Sequence, residues 1–329
     1  MRKKLEISIY DNSKFRVEEI EMLDIDSRFS YIEINNVIVE ITQDQITLYS
    51  NDNICNNQIS YLNFNKINDD KSYTPVVSIE KCLLLDTHFR NVYYHWIFDI
   101  LPQFLVVKSI AEISVITLPL KFKFQTESLN YFNNEITIYN NPNIYYIEKL
   151  IIPNPTTKNL MPFNYAIKYL REKVCHGAHV DDLIYITRNK GFKRRILNEN
   201  KLINYLRKEG FNIFTLEELS FQEQKRIFEN AKLIISAHGS GLTNIIFSSE
   251  RTTIIEIYGY GCGERCFAKI ADELNMKYYA MQINSISYYN LFDRLICKYF
   301  PNHEHFNFKI DILYLKKYLN QHVFSSWQN

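Results

Sequence analysis

Two stretches of this 329-residue chain place polar side chains at spacings that suit proton transfer and anion binding. The first is NVYYHWIFDILPQF, residues 91–104, where His95 and Asp99 fall four apart and share one face of a helix. An unsatisfied buried polar group costs roughly 2–7 kcal/mol, so this pair on an apolar helix either faces a cleft or is satisfied internally. In a cleft, the Asp or the His can take a proton from a hydroxyl. Satisfied internally, the pair is structural. Pro102 has no N–H, so the Phe98 carbonyl loses its helical partner and the helix is expected to kink or stop beside Asp99. Trp96 and Tyr94 can stack on a sugar ring, with core packing the competing use for at least one of them.

The second stretch, IISAHGSGLTN at 234–244, runs from a strand through a glycine turn into a helix. Gly239 and Gly241 allow close backbone approach, and a helix start presents free N–H groups together with the positive end of its dipole. Ser240 and Thr243 can add hydroxyls and His238 a ring N–H, so the turn His238, Gly239, Ser240, Gly241, Leu242, Thr243 and Asn244 reads as a phosphate cradle. An ordinary strand-to-helix turn needs the same glycines. The string lacks the spacing of a dinucleotide fingerprint or a phosphate-binding P-loop, and no GxSxG elbow accompanies it, so Ser240 is a poor nucleophile. Arg188 and Arg195, in ITRNKGFKRRILNE, flank the same sheet and can fork onto a diphosphate. Lys190, Lys193 and Arg194 read as a solvated basic loop, and Glu199 as either a site acid or a first-turn helix acid. Glu256 interrupts the apolar run TTIIEIYG and can accept two ribose hydroxyls.

The elements that must position these groups alternate. Residues 1–75 read as β, with a tight hairpin turn expected at Asn35-Asn36 and a loop over 51–68. Strands follow at 76–85, 113–118, 136–139 and 144–152, with a helix over 91–107. Beyond Pro153 and Pro155 come a helix at 162–175 and strands at 183–187, 211–215, 233–236, 252–257 and 277–281. Helices are expected at 198–209, from Ser220 to Ala231 with Glu223 completing a capping box, from Gly241, at 265–274 and at 311–323. This alternation predicts α/β architecture: two Rossmann-like domains facing a cleft, with a β-rich start. The boundaries expected are 1–158, 159–290 and 291–329, the last a helical segment packing back on the N-terminal domain; the resemblance described below implies that the first is the acceptor-side domain and the second the nucleotide-sugar domain.

A net charge of +1 argues against nucleic acid as a partner. The six cysteines, at 55, 82, 175, 262, 266 and 297, form no CxxC pair and read as reduced thiols. The basic opening lacks an apolar core for a signal peptide, and no apolar run is long enough to span a bilayer, so a cytoplasmic location is expected. Asp24 and Asp26 form a DxD string far from the phosphate candidates, and His303-Glu304-His305 lacks zinc spacing. No metal and no cofactor are expected.

Taken in order, YYHWIFDILP (93–102), YITR…RRILNE (185–199), EELSFQEQ (217–224), ISAHGSGLTNIIF and TTIIEIYG (within 235–259) resemble glycosyltransferase family 61, the DUF563 proteins. The resemblance covers roughly residues 80–280. It implies a GT-B fold and inverting, metal-independent transfer from a nucleotide-sugar donor, with a UDP-sugar expected. The acceptor it implies is a glycan or lipid-linked glycan, in bacterial capsule or lipopolysaccharide synthesis, with peripheral association at the inner membrane. By position, Arg188, Arg195 and the 238–244 turn would hold the diphosphate and Glu256 the ribose. His95 and Asp99 would serve the acceptor, with Asp99 as base. Where the family often carries Arg, this chain has Gln103. A non-catalytic glycan-binding subunit of the same fold and a sugar-nucleotide-modifying enzyme are the competing readings.

Overall fold

The computed structural model describes residues 29, 31–50, 62–65, 74–75, 77–110, 113–132, 135–154, 156–158, 161–174, 182–189, 194–259, 265–282 and 307–324. The DxD string, the 303–305 triplet, Lys190, Lys193 and the cysteines at 55, 175, 262 and 297 lie outside them. Cys82 and Cys266 are buried thiols. Among the described residues no helix is long and apolar enough to cross a membrane. Contacts divide the chain into Met1–Ala166 and Ile167–Asn329.

The first unit is built on a seven-stranded mixed sheet in the order β3-β2-β1-β7-β4-β5-β6. Its strands are β1 (Tyr31–Ile41), β2 (Ile46–Tyr49), β3 (Asn63–Asn65), β4 (Val77–Leu84), β5 (Ser114–Ile116), β6 (Ile138–Tyr139) and β7 (Asn143–Pro153). The hairpin expected at Asn35-Asn36 is absent. The segment is one continuous strand that pairs antiparallel with β7 from Tyr31↔Pro153 to Ile41↔Asn143. Asn36 takes a left-handed φ of 54°. There the pleat re-phases: Ile34 is buried before it, and Val37, Val39 and Ile41 after it. The partner strand does the same, from Tyr145 and Ile147 to Leu150 and Ile152. An Asn tolerates this backbone, which is why the pair read as a turn. The true hairpin joins β1 to β2 through Thr42 and Gln45.

Between β4 and β5 the chain forms one interrupted helix: α1 (Tyr93–His95), a π-helical turn (Trp96–Ile100) and α2 (Leu101–Ile110). The interruption falls beside Asp99, as the missing amide of Pro102 dictates. The Phe98 carbonyl that Pro102 leaves without a helical donor is taken by the Thr156 hydroxyl, which lies just beyond β7 and is buried. Helix α3 (Lys123–Phe132) follows β5, and a small antiparallel pair, β8 (Thr157–Lys158) and β9 (Met161–Pro162), follows β7.

The second unit is a five-stranded, all-parallel sheet in the order β11-β10-β12-β13-β14. Its strands are β10 (Asp182–Ile186), β11 (Asn212–Phe214), β12 (Ala231–Ala237), β13 (Thr253–Tyr258) and β14 (Lys277–Gln282). Ile184, Leu233, Ile234, Ile235, Ile254 and Ile255 are all but fully buried, as expected for strands covered on both faces. Helices α4 (Asn164–Val174), α5 (Glu199–Lys208), α6 (Phe221–Glu229) and α7 (Cys266–Glu273) fall close to the expected positions. The Ser220–Glu223 capping box at α6 forms in both directions. The final helix, α8 (Ile312–His322), packs Leu315 and Leu319, with Val323 just beyond them, into the core of the second unit with Leu202, Leu206 and Ile255.

Replacing the Thr156 hydroxyl by a methyl removes a buried hydrogen bond to the Phe98 carbonyl. Thr156→Val is expected to lower stability by about 1–3 kcal/mol, read in urea denaturation, while Thr156→Ser stays near wild type. A Thr156→Val chain as stable as wild type would remove this bond from the account of the π turn.

Candidate active site

In the first unit β4 is parallel to both β5 and β7, yet the chain leaves it for β5 and reaches β7 last. Strand order therefore switches between β4 and β7, and open parallel sheets bind ligands in the crevice beyond their carboxyl ends at such a point. Residues 85–92 leave β4 there and lead into the interrupted helix. His95 Nδ1 lies 2.8 Å from Asp99 Oδ2, and each side chain is 9% exposed. The second Asp99 oxygen is buried with no partner among the described residues. With Nδ1 tied to the carboxylate, Nε2 is the imidazole nitrogen left for chemistry. Phe89 stacks on the imidazole at 4.8 Å and 28°, and Tyr94 meets it edge-on at 5.2 Å.

Trp96 is fully buried and donates from Nε1 to Ser128 Oγ at 2.8 Å, so it frames the helix and offers no face to a sugar. Gln103, which stands where the family often has Arg, donates to the Asn154 carbonyl at 2.7 Å and ties α2 to the segment after β7. Asp86, just past β4, escaped the sequence reading because nothing periodic marks it. Burial pushes its carboxyl up to about 6, against the opposing pull of Arg90 at 3.7 Å.

The second sheet switches order between β10 and β12. Beyond β10 stands Arg188, and beyond β12 stand His238 and Gly239. Arg188 Nη1 donates to the His238 carbonyl at 2.8 Å. The guanidinium lies so close over Gly239 that a Cβ there would sit 1.4 Å from Nη1, so any side chain at 239 must push Arg188 aside. Burial, and then the charge of Arg194, bring the Arg188 guanidinium down to about 10. Arg194, read as a solvated loop residue, is thus the cation close enough to act on Arg188. Its φ of 60° turns the chain there, a feature a non-glycine sequence does not announce. Arg195 is exposed, and its main chain is knitted to Asn307 and Phe308, which leaves its guanidinium on the surface. Glu199 is buried beneath the Arg188 loop, where one oxygen accepts from Tyr185 at 2.7 Å and from the Arg188 N–H at 3.1 Å.

Residues 240–247 form a 3-10 helix (Ser240–Phe247), with Ser240 and Gly241 partly exposed and Leu242, Thr243 and Asn244 buried. Asn244 donates to Gln224 at 2.9 Å and anchors α6. Ser240 and Gly241 are thus the part of the turn with exposed surface. Glu256 is fully buried. One of its oxygens bonds to His238 Nδ1, and the other accepts from Tyr258 at 2.9 Å and Tyr278 at 2.6 Å. Burial and the Glu256 charge raise the Tyr278 hydroxyl well above the usual phenol range, so it stays a donor. A ribose would have to displace these bonds. The arrangement makes Glu256 the group that orients His238, whose ring also stacks on Tyr258 at 5.2 Å.

A family model described as Glycosyltransferase 61 matches residues 93–255, from the helix start to β13. The chain is 36% identical over 83 residues to the EGF domain-specific O-linked N-acetylglucosamine transferase of Bos taurus, across 24% of this chain and 16% of that protein. The Gallus gallus protein of the same name is 37% identical over 87 residues, 24% of this chain and 15% of its own. The beta-1,2-xylosyltransferase of Arabidopsis thaliana is 31% identical over 102 residues, 27% and 19% respectively. The matches thus span less than a fifth of these relatives. They support a glycosyltransferase of family 61. The relatives are animal and plant proteins, not the capsule type the resemblance implied.

Two outcomes follow from the geometry. Gly239→Ala must displace Arg188, so the stabilisation that pyrophosphate gives the wild type in a thermal-shift assay is expected to vanish. Gly241→Ala should weaken it less, because its Cβ would meet only the movable tip of Leu216 at 2.9 Å. Equal responses from both variants and wild type would remove the turn from anion binding. Burial raises the folded-state pKa of Asp86 to about 6, above its unfolded value, so wild type loses stability as the pH rises through that value. Asp86→Asn carries no such loss. It should gain on wild type between about pH 4 and pH 7, by up to roughly 3 kcal/mol, read as a pH-dependent difference in Tm.

Proposed function

We propose that this chain is a glycosyltransferase that moves a sugar from a nucleotide-sugar donor to a hydroxyl of a glycan acceptor. The observation that carries the reading is the buried Arg188 guanidinium packed on Gly239 at a strand-order switch, with His238 and Arg194 close by. Two arginines and an imidazole beside a glycine turn suit a diphosphate. The Ser240 hydroxyl and the N–H groups at the 3-10 helix start add donors. A UDP-sugar is the donor we favour, and a GT-B assignment belongs to the same proposal.

His95 and Asp99 serve the acceptor. Asp99 holds His95 through Nδ1, so His95 Nε2 becomes the base and Asp99 the carboxylate that fixes its tautomer, reversing the order favoured from sequence. His95 takes the acceptor proton as the acceptor oxygen bonds to the anomeric carbon. The bond from that carbon to the diphosphate breaks, and its electron pair leaves with the nucleoside diphosphate. Attack from the opposite face inverts the centre. Arg188 and His238 meet the developing negative charge, which lets the step proceed without a metal.

Purified protein is expected to transfer labelled sugar from a UDP-sugar to a glycan. Asp99→Asn should slow transfer on the order of 10³- to 10⁴-fold while UDP still raises Tm. His95→Gln should do the same, and the double variant should be little worse than either single one, because the two act as a unit. Turnover by Asp99→Asn close to wild type would sink the dyad. A wild-type protein that binds glycans without transferring or hydrolysing any donor would favour a non-catalytic subunit. A modified donor without transfer would favour a sugar-nucleotide-modifying enzyme.

A further inference from the structure

Phe89 is a large apolar side chain left 52% exposed on a segment that is otherwise tied down. Single exposed aromatics are common on protein surfaces and need no explanation by themselves. This one differs in two respects. Its ring lies stacked on His95 at 4.8 Å and 28°, so it forms the wall beside the proposed base. And its backbone is held from several directions. The Phe89 N–H donates to Thr87 Oγ1 at 3.2 Å, and its carbonyl accepts from Val92 at 2.8 Å. The Thr87 N–H is in turn bound to Asp86 at 2.8 Å. Next along the chain, the Arg90 guanidinium reaches Thr117 Oγ1 at 3.1 Å and the Pro119 carbonyl, and the Arg90 carbonyl accepts from Gln125 Nε2 at 3.1 Å.

A flexible loop would fold such a ring inward to escape water. Here hydrogen bonds hold the backbone and the stack on His95 holds the ring, so its outer face stays open to a partner. The partner must bring an apolar face that fits a flat ring and a hydroxyl for the neighbouring imidazole. The C–H face of a pyranose has both. We propose that Phe89 is the acceptor platform: a pyranose of the acceptor packs its C–H face on the side of this ring turned away from His95 and extends a hydroxyl past the ring edge to the imidazole. The role sought from sequence in Trp96 thus falls to Phe89. The proposal rests on the transferase reading for the identity of the acceptor, but its binding step can be read separately.

The test is saturation-transfer NMR on the full chain with methyl pyranosides of glucose, galactose and N-acetylglucosamine. Wild type should saturate the ring C–H protons of at least one of them. Phe89→Ala should weaken its affinity by about tenfold, and Phe89→Trp should keep or improve it. With Phe89 half exposed, both variants should melt near wild type, and UDP should still raise their Tm. Where transfer is measured, the loss should fall on the KM for the acceptor and leave the KM for the donor and the turnover number near wild type. Equal pyranoside binding by Phe89→Ala and wild type overturns the platform, as does a lack of pyranoside binding by wild type. A fall in turnover with acceptor affinity unchanged also overturns it, because Phe89 would then act on His95 alone. Binding that depends on Phe89 in a protein that transfers nothing upholds the platform and removes the transferase reading instead.

Discussion

A parallel strand cannot return to its neighbour through a tight turn. It needs a crossover, and the crossovers of one sheet all leave from the carboxyl ends of its strands. Where successive crossovers go to opposite sides, the strand ends part and leave a crevice. Both units depend on that constraint. In the first, the split between β4 and β7 is bordered by the segment carrying Asp86 and Phe89, by the helix carrying His95 and Asp99, and by Thr156. In the second, the split between β10 and β12 is bordered by Arg188 and by the His238–Gly239 turn. Residues fifty or more positions apart meet because strand order brings their strand ends together.

The polar groups around these crevices are held by carboxylates that burial would punish if they stood alone. Glu256 survives full burial because His238, Tyr258 and Tyr278 occupy its oxygens. Glu199 does so by clasping Tyr185 and the Arg188 backbone. Each acid acts through the group it holds, so removing one disturbs a cation or an imidazole before it disturbs the core. Asp99 is different: one of its oxygens holds His95 and the other, buried, lacks a partner among the described residues. A half-satisfied carboxylate is costly, and such cost tends to be retained where chemistry uses it.

Much of this was legible in the residues. The helix interruption beside Asp99 follows from one missing amide at Pro102. The His95–Asp99 contact follows from helical spacing, the α6 cap from Ser220 and Glu223, and the strands of the second unit from unbroken apolar runs. These are local consequences, set by residues within a turn or two of one another. The sequence alone likewise carried the glycine turn and the basic residues around it, but not their contacts.

Only the tertiary structure decided which neighbours those residues have. It put Arg194 beside Arg188 and tied the Arg195 main chain to the 307–308 segment, though the two are adjacent in sequence. It made Asn35-Asn36 part of a strand, because pairing with β7 outweighed a turn preference. It buried Trp96 and exposed Phe89. It also turned Glu256 from a ligand-facing acid into the support of His238, since Tyr258 and Tyr278 reach it from two strands. Periodicity says which face of an element is apolar. Which groups stand opposite that face depends on strand order and register, and these are set by contacts between residues distant in the chain.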